Sequence, residues 1–230
     1  MDNQSLASRQ VGDVIEFGTY SHTKKGKDKT PIEWIVLDNN GEDITLVSKY
    51  ILDSVPYNAK KGDITWDKCT LRQWLNNDFY NNAFDQSQKS MILNTELSGN
   101  GKASGDKVDT LVGTEKFSDG KQIEAPTKQE VDAPITQDNV WLLNTNEAKM
   151  YFDKTVDRVT KGTEFACGKK SYTGKLDVYK DHSWWWLRNQ GTYAPNLAAL
   201  VDNAGNVNPI GDNSHFEHGG VRPSIKIKLS

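Results

Sequence analysis

Apolar and polar residues alternate in short runs at the start of the chain. Val14-Ile15-Glu16-Phe17 opens the pattern, and a Lys/Gly loop from Lys24 to Lys29 interrupts it. Ile32 to Leu37 and Ile44 to Ser48 then flank Asn39-Asn40-Gly41. An Asn-Gly pair between two β-rich runs predicts a hairpin, because its tight turn needs residues that tolerate positive φ. The period then lengthens. Leu71, Trp74, Leu75 and Phe79 recur at helical spacing, with Thr70 as the cap, and predict a helix with those four on its buried face. A second short helix is expected over Gln86 to Leu93, capped by Asp85. Residues 98–138 are rich in Gly, Lys, Asp and Thr and read as a long insertion, with a hairpin around Thr110–Phe117. Val140-Trp141-Leu142-Leu143 predicts a strand, and Asn144 or Thr145 caps a helix from Asn146 to Phe152. Tyr172 to Asp181 carries no clear period.

The last third is β-rich. Trp184 to Arg188 forms one expected strand. Ala198–Val201 and Asn206–Asn208 form a hairpin around Asp202–Gly205. Val221 to Leu229 closes the chain, with Ile225, Ile227 and Leu229 on one buried face against Lys226 and Lys228. Leu71, Trp74, Leu75, Trp141, Leu142, Trp186, Leu187, Val201, Val221, Ile225 and Ile227 are the expected core. The sum is one α+β domain over residues 1–230, with mixed antiparallel sheets, two or more short helices and the insertion.

Composition narrows the function. The 230 residues carry a net charge of −3. The charges are interspersed, so nucleic acid is not an expected partner. No stretch reaches the roughly 20 apolar residues of a membrane span. Met1 to Gln10 is polar and lacks the apolar centre of a signal peptide. The compartment stays open: cytoplasmic or phage-associated as the chain stands, cell surface if an export segment has been removed. Cys69 and Cys167 fit no metal or redox spacing, and two free thiols are favoured over a disulfide. No metal or cofactor is expected. His215-Phe216-Glu217-His218 has no third ligand cluster near it. In Asp202–Asn206, Ala204 stands where a calcium loop needs an oxygen donor. No Gly-x-Ser-x-Gly, P-loop or dinucleotide fingerprint occurs.

The candidate chemistry is polar and aromatic. Trp184, Asn189, Gln190, Tyr193, Asn196, Asn203, Asn206, Asn208, Asn213, His215 and Phe216 crowd the last hairpins, with Asp212 among them. Such residues combine rigid contact area with adaptable hydrogen bonding and suit a combining surface. The plain alternative is turn chemistry, which also favours Asn and Asp. Trp184 and Trp186 share one strand face and Trp185 takes the other. They either line a pocket or pack both sides of a sheet; packing is expected for Trp186, and both remain open for Trp184. Arg188 and Arg222 are either an anion-binding pair or structural guanidiniums. The second is favoured, with Glu147 as a candidate carboxylate partner.

Four segments carry a resemblance: Glu33-Trp34-Ile35-Val36-Leu37, Thr70-Leu71-Arg72-Gln73-Trp74-Leu75-Asn76, Trp185-Trp186-Leu187-Arg188-Asn189-Gln190-Gly191 and Gly220-Val221-Arg222-Pro223. In this order they resemble an uncharacterised bacterial domain-of-unknown-function family with the motifs W-x-V-L, S-T-L-R-x-W-L-N, W-W-L-R-S-P-G and G-V-R-P-A. The resemblance spans nearly the whole chain except the insertion. Asn189-Gln190 stands where that family usually has Ser-Pro. The family is distantly similar to the C-type-lectin-like fold of formylglycine-generating enzymes and of the variable proteins of diversity-generating retroelements. The resemblance implies a C-type-lectin-like scaffold and a non-catalytic recognition module, showing an adaptable or variable surface to a protein or glycan ligand. Formylglycine generation itself is not expected, since that activity needs a late cysteine pair and only Cys167 lies in the second half. The Glu-Pro-Asn and Gln-Pro-Asp sugar motifs of calcium lectins are absent as well. Two alternatives stand beside recognition. One is an enzyme with an unfamiliar site built from Trp184, Arg188, His215, Glu217 and His218. The other is a structural cell-surface module.

Overall fold

The computed structural model describes residues 6–103, 133–169, 178–179 and 181–229. The hairpin expected around Thr110–Phe117 and most of the 172–181 stretch lie outside them. The chain opens with strands β1 (Val14–Tyr20), β2 (Thr30–Asn39) and β3 (Asp43–Ser48). These pair antiparallel in sequence order. The predicted hairpin between β2 and β3 is present: Gly41 takes φ +87°, and the Asn39 and Asn40 carboxamide oxygens accept from the backbone of Gly41, Glu42 and Asp43. Strand β4 (Asp53–Ser54) follows.

The helical block runs through α1 (Thr70–Trp74), a π turn (Leu75–Phe79) and α2 (Tyr80–Ala83). Its cap is Cys69 and not Thr70: the Cys69 sulfur accepts from the Arg72 N–H at 3.4 Å. The Thr70 hydroxyl instead accepts from the Ala59 N–H at 2.8 Å. Leu71, Leu75 and Phe79 form the buried i, i+4 row. Trp74 lies beside that row and is only partly buried, its ring 5.7 Å from that of Phe79. Helix α3 (Gln86–Met91) starts at the expected Asp85, which forms a capping box with Gln88.

Strand β5 (Thr95–Leu97) pairs antiparallel with β6 (Thr136–Asp138). The end of the expected insertion is therefore part of the body. Asp138 is buried there and accepts from Trp66 Nε1, Arg72 Nε and the Thr136 hydroxyl at 2.7–2.9 Å. The apolar run 140–143 is buried but is not a strand; it makes a single bridge, Trp141 to Ser224. Helix α4 (Thr145–Tyr151) begins at Asn144 with a second capping box, to Glu147. The short helices α5 (Thr155–Arg158) and α6 (Glu164–Gly168) and the strands β7 (Val178–Tyr179) and β8 (His182–Ser183) precede the Trp-rich segment.

That segment is strand β9 (Trp185–Gln190), buried at all six positions. It pairs with β10 (Leu197–Val201), which pairs with β11 (Val207–Asn213). The expected single final strand is two: β12 (Gly220–Val221) and β13 (Ser224–Lys228). Arg222-Pro223 separates them, and proline has no N–H to give a ladder. The chain there steps from one sheet to the other. The first sheet has the order β1-β2-β3-β13 and the second β11-β10-β9-β12-β4. All pairings within the two are antiparallel except the β9–β12 contact at Trp185 and Gly220.

The two faces of β9 meet different cores. Trp184 and Trp186 join Trp34, Tyr57, Trp66 and Phe79 on one side. Trp185 and Leu187 join Val47, Ile51 and Phe152 on the other. This period-2 split accounts for three consecutive tryptophans: each face of a central strand needs its own large apolar groups.

Candidate functional site

The C-terminal loops rest on β9, and the polar residues of that strand fix them. Arg188 is 1% exposed. Its two terminal nitrogens donate to the two oxygens of Glu147, the partner expected from the sequence. It also donates to Asn100 Oδ1 at 2.9 Å and to the carbonyls of Leu142 and Ser98 at 3.0 Å. Such a bidentate pair is strong and directional, and it ties β9 to α4 and to the stem of the insertion. Arg222 is equally buried. It donates to the carbonyls of Ser48 and Arg158, and its guanidinium lies 5.0 Å from the Trp185 ring centroid and 5.1 Å from that of Phe152. Burial pulls its pKa down to about 9. Both arginines are structural in this geometry.

Asn189 and Gln190 do not face outward. Asn189 is buried: its Oδ1 accepts from the Thr145 N–H at 2.7 Å, and its Nδ2 donates to the carbonyls of Gly99 and Gly101. Gln190 is buried and donates to the carbonyls of Ile64 and Pro195. Their place on a central strand covered on both faces removes them from any ligand surface. They position the segments around them.

Most of the remaining asparagines serve turns. Asp202 Oδ1 accepts from the N–H groups of Ala204 and Asn206, and Asn206 Nδ2 donates to Asp202 Oδ2 at 2.9 Å. Asn208 Oδ1 accepts from the N–H groups of Ile210 and Gly211. Asn196 Nδ2 donates to Asn213 Oδ1 at 3.1 Å, joining two loops. Asn203 is half-buried in the 202–205 turn.

Two aromatic features remain. Tyr193 is 62% exposed, and Ile210 is 39% exposed. The Thr192 N–H donates to the Pro209 carbonyl at 2.9 Å, so the two side chains project from adjoining segments. The second feature is a chain of rings. Trp184 meets Trp186 edge-on at 4.6 Å and His218 at 5.9 Å. His218 stacks on Phe216 at 5.2 Å, and Phe216 lies 5.7 Å from His215. Loop 214–219 is held over β9 by backbone bonds from Asn58 to Ser214 and from Val55 to Gly219. Gly219 is forced by contact: a Cβ there would lie 1.7 Å from Trp186 Nε1. Ser214 Oγ and His215 Nδ1 are buried without a hydrogen-bond partner.

The fold thus brings Trp184, His215 and Phe216 together, adds His218, and leaves Tyr193 at the surface. Ile210 belongs to that surface too, but no motif announces it; its exposure follows from a β-bulge between Ala198 and Leu200 that shifts the register of β11. For the enzymatic alternative, Arg188 is engaged internally, while Trp184, His215 and His218 do gather beside Glu217. Cys69 and Cys167 are both free. Among the described residues no group of three or more His, Cys, Asp or Glu is arranged to hold a metal ion. None of the described helices is long and apolar enough to cross a membrane.

These features define an α+β domain of two principal sheets, with a buried Trp-rich strand that carries a set of C-terminal loops. The chain belongs to the family described as Domain of unknown function (DUF6273), whose model matches residues 41–229. The Arg72, Arg188 and Arg222 motifs lie inside the matched stretch; β1, β2 and the Trp34 motif precede it. No curated protein and no solved structure matches the chain.

Proposed function

We propose that this domain is a non-catalytic ligand-recognition module, and that loops 191–196 and 208–218 are its combining surface. The observation that carries the reading is the exposure of Tyr193 and Ile210 on adjoining segments whose supports, Asn189, Gln190 and Arg188, are buried and internally satisfied. Rigid support lowers the ordering cost of binding, and an exposed aromatic beside an aliphatic side chain is what interface anchors are made of. A protein ligand fits this pair better than a glycan, since an exposed aromatic beside an exposed aliphatic side chain makes an apolar anchor. The scaffold is read as C-type-lectin-like. Support comes from the order of its closing elements: a Trp-rich strand, a hairpin, and a last strand that returns to pair with the early β3. The retroelement variable-protein form of the reading has weaker support, because Asn189 and Asn208 hold backbone groups and Asn206 holds the Asp202 carboxylate, roles that a diversified position could not keep.

The test is an array of proteins and glycans probed with the whole domain and with Tyr193→Ala. Capture of a protein by the parent chain, lost in the variant while its melting temperature is kept, supports the proposal. Capture that survives both Tyr193→Ala and Ile210→Ser places recognition elsewhere.

A further inference from the structure

A second surface feature lies away from the C-terminal loops. It is an open depression of about 440 Å³ whose lining includes His22, Tyr50, Lys161, Thr163 and Glu164. The backbone builds it firmly. The Ile51 N–H donates to the Lys161 carbonyl and the Thr163 N–H to the Ile51 carbonyl, which fixes the 161–163 segment beside Tyr50. The Phe165 N–H donates to the His22 carbonyl at 3.0 Å and fixes the opposite wall.

The charges around Tyr50 do not balance. Two ammonium groups approach its ring: Lys49 at 5.3 Å and Lys161 at 5.8 Å from the centroid. Lys49 is paired with Glu33 at 2.8 Å. Lys161 has the Tyr50 ring and, among the described residues, no carboxylate within ion-pair distance. The opposite wall holds a second incomplete group. His22 Nε2 is buried and has no hydrogen-bond partner. Burial lowers the His22 pKa, against the pull of Asp28 and Glu33, so the ring is neutral near pH 7 and can donate or accept one hydrogen bond. An orphaned buried polar atom carries an uncompensated desolvation cost. The Thr163 hydroxyl is already used, accepting from the Ala166 N–H, and the Thr23 hydroxyl donates to Asp28. Glu164 is exposed on the same rim.

We propose that this depression binds a small aromatic monocarboxylate. Lys161 takes the carboxylate and Tyr50 packs against the ring, with the His22 side chain forming part of the wall. A single negative charge is specified because Glu164 repels a second one across the same opening.

The experiment is an NMR titration of the isotope-labelled full chain with benzoate, followed at the backbone amides of Gly162, Thr163 and Glu164. Acetate, inorganic phosphate and phenyl phosphate are titrated in parallel. Benzoate is expected to give saturable shifts at these amides and to bind more tightly than the other three. Lys161→Gln weakens benzoate about tenfold, the loss of one charge-assisted hydrogen bond. Lys161→Arg restores most of it, and Lys25→Gln, an exposed lysine outside the lining, leaves it unchanged. Absence of saturable shifts overturns the proposal. So does equal weakening by Lys161→Gln and Lys25→Gln, which would mean diffuse charge attraction only. Acetate as tight as benzoate removes the role of Tyr50, and phenyl phosphate tighter than benzoate removes the single-charge rule; either result also overturns it. The outcome is independent of Tyr193 and Ile210.

Discussion

At the scale of single residues, the same side chains that read as a binding surface turn out to divide by burial. Asn and Asp are chosen both for combining sites and for turns, so composition alone does not separate the two uses. Asn206 and Asn208 both serve turns: Asn206 Nδ2 donates to the Asp202 carboxylate, and Asn208 Oδ1 accepts from the Gly211 N–H. Arg188 was legible: an arginine at the end of an apolar strand needs a carboxylate, and Glu147 was the available one. Arg188→Ala should cost about 3–5 kcal/mol, since it strands the Glu147 carboxylate and several carbonyls. Chemical denaturation would show this as a fall in midpoint at unchanged slope. Cysteine chemistry gives a second residue-scale prediction. Burial pushes the Cys69 thiol up to about 12, and it raises Cys167, which is only half-buried, as well. Because the folded value of Cys69 lies above its ordinary 9.0, the native state holds a proton that the unfolded chain releases at high pH. That group's contribution is therefore fully present below pH 9 and is lost as pH rises toward 12. Iodoacetamide at neutral pH should label Cys167 before Cys69, and mass spectrometry of digests would read the order. Faster labelling of Cys69 would contradict its burial.

At the scale of elements, strands with a strong period were readable and irregular apolar runs were not. The β2–β3 hairpin, the Asp85 and Asn144 caps and the β10–β11 hairpin all follow from local chemistry, which acts within a few residues. Residues 140–143 are as apolar as a strand, yet they are buried by packing with one bridge, a choice made by tertiary contacts. The closing strand reads as continuous because its alternation is regular after Ser224; the break comes from Pro223 and from the need of Arg222 for the Ser48 carbonyl in the first sheet. Trp74 was expected in the core from its i+3 place, but the i, i+4 row of Leu71, Leu75 and Phe79 fills that face. Trp74→Ala should accordingly cost less than the roughly 3–5 kcal/mol of a fully buried tryptophan. The contact between β9 and loop 214–219 is tighter. Gly219→Ala drives a methyl into the Trp186 indole and should cost about 1–3 kcal/mol. It should also break the Trp186 Nε1 hydrogen bond to the Val55 carbonyl, which now spans 3.1 Å, and a changed indole N–H resonance would report the loss.

At the scale of the whole molecule, the two sheets are joined by β13 returning to β3 and by Arg222 reaching Ser48, so the C-terminal loops stand on a body closed from both ends. The sequence carried the class of this architecture through its order of motifs. It could not carry the loop surface, because exposure depends on the bulge in β10–β11 and on the covering of β9 on both faces. The account rests on a separation between groups that fold the domain and groups that bind. The most direct measurement compares Tyr193→Ala/Ile210→Ser with Arg188→Ala, following melting temperature and capture of the same protein ligand in parallel. The double surface variant is predicted to melt with the parent, each exposed change staying within about 0.5 kcal/mol, and to lose capture. Arg188→Ala is predicted to melt far lower, and to regain capture on cooling to where it refolds. A surface variant that unfolds, or one that stays folded and still captures the ligand, would contradict the account.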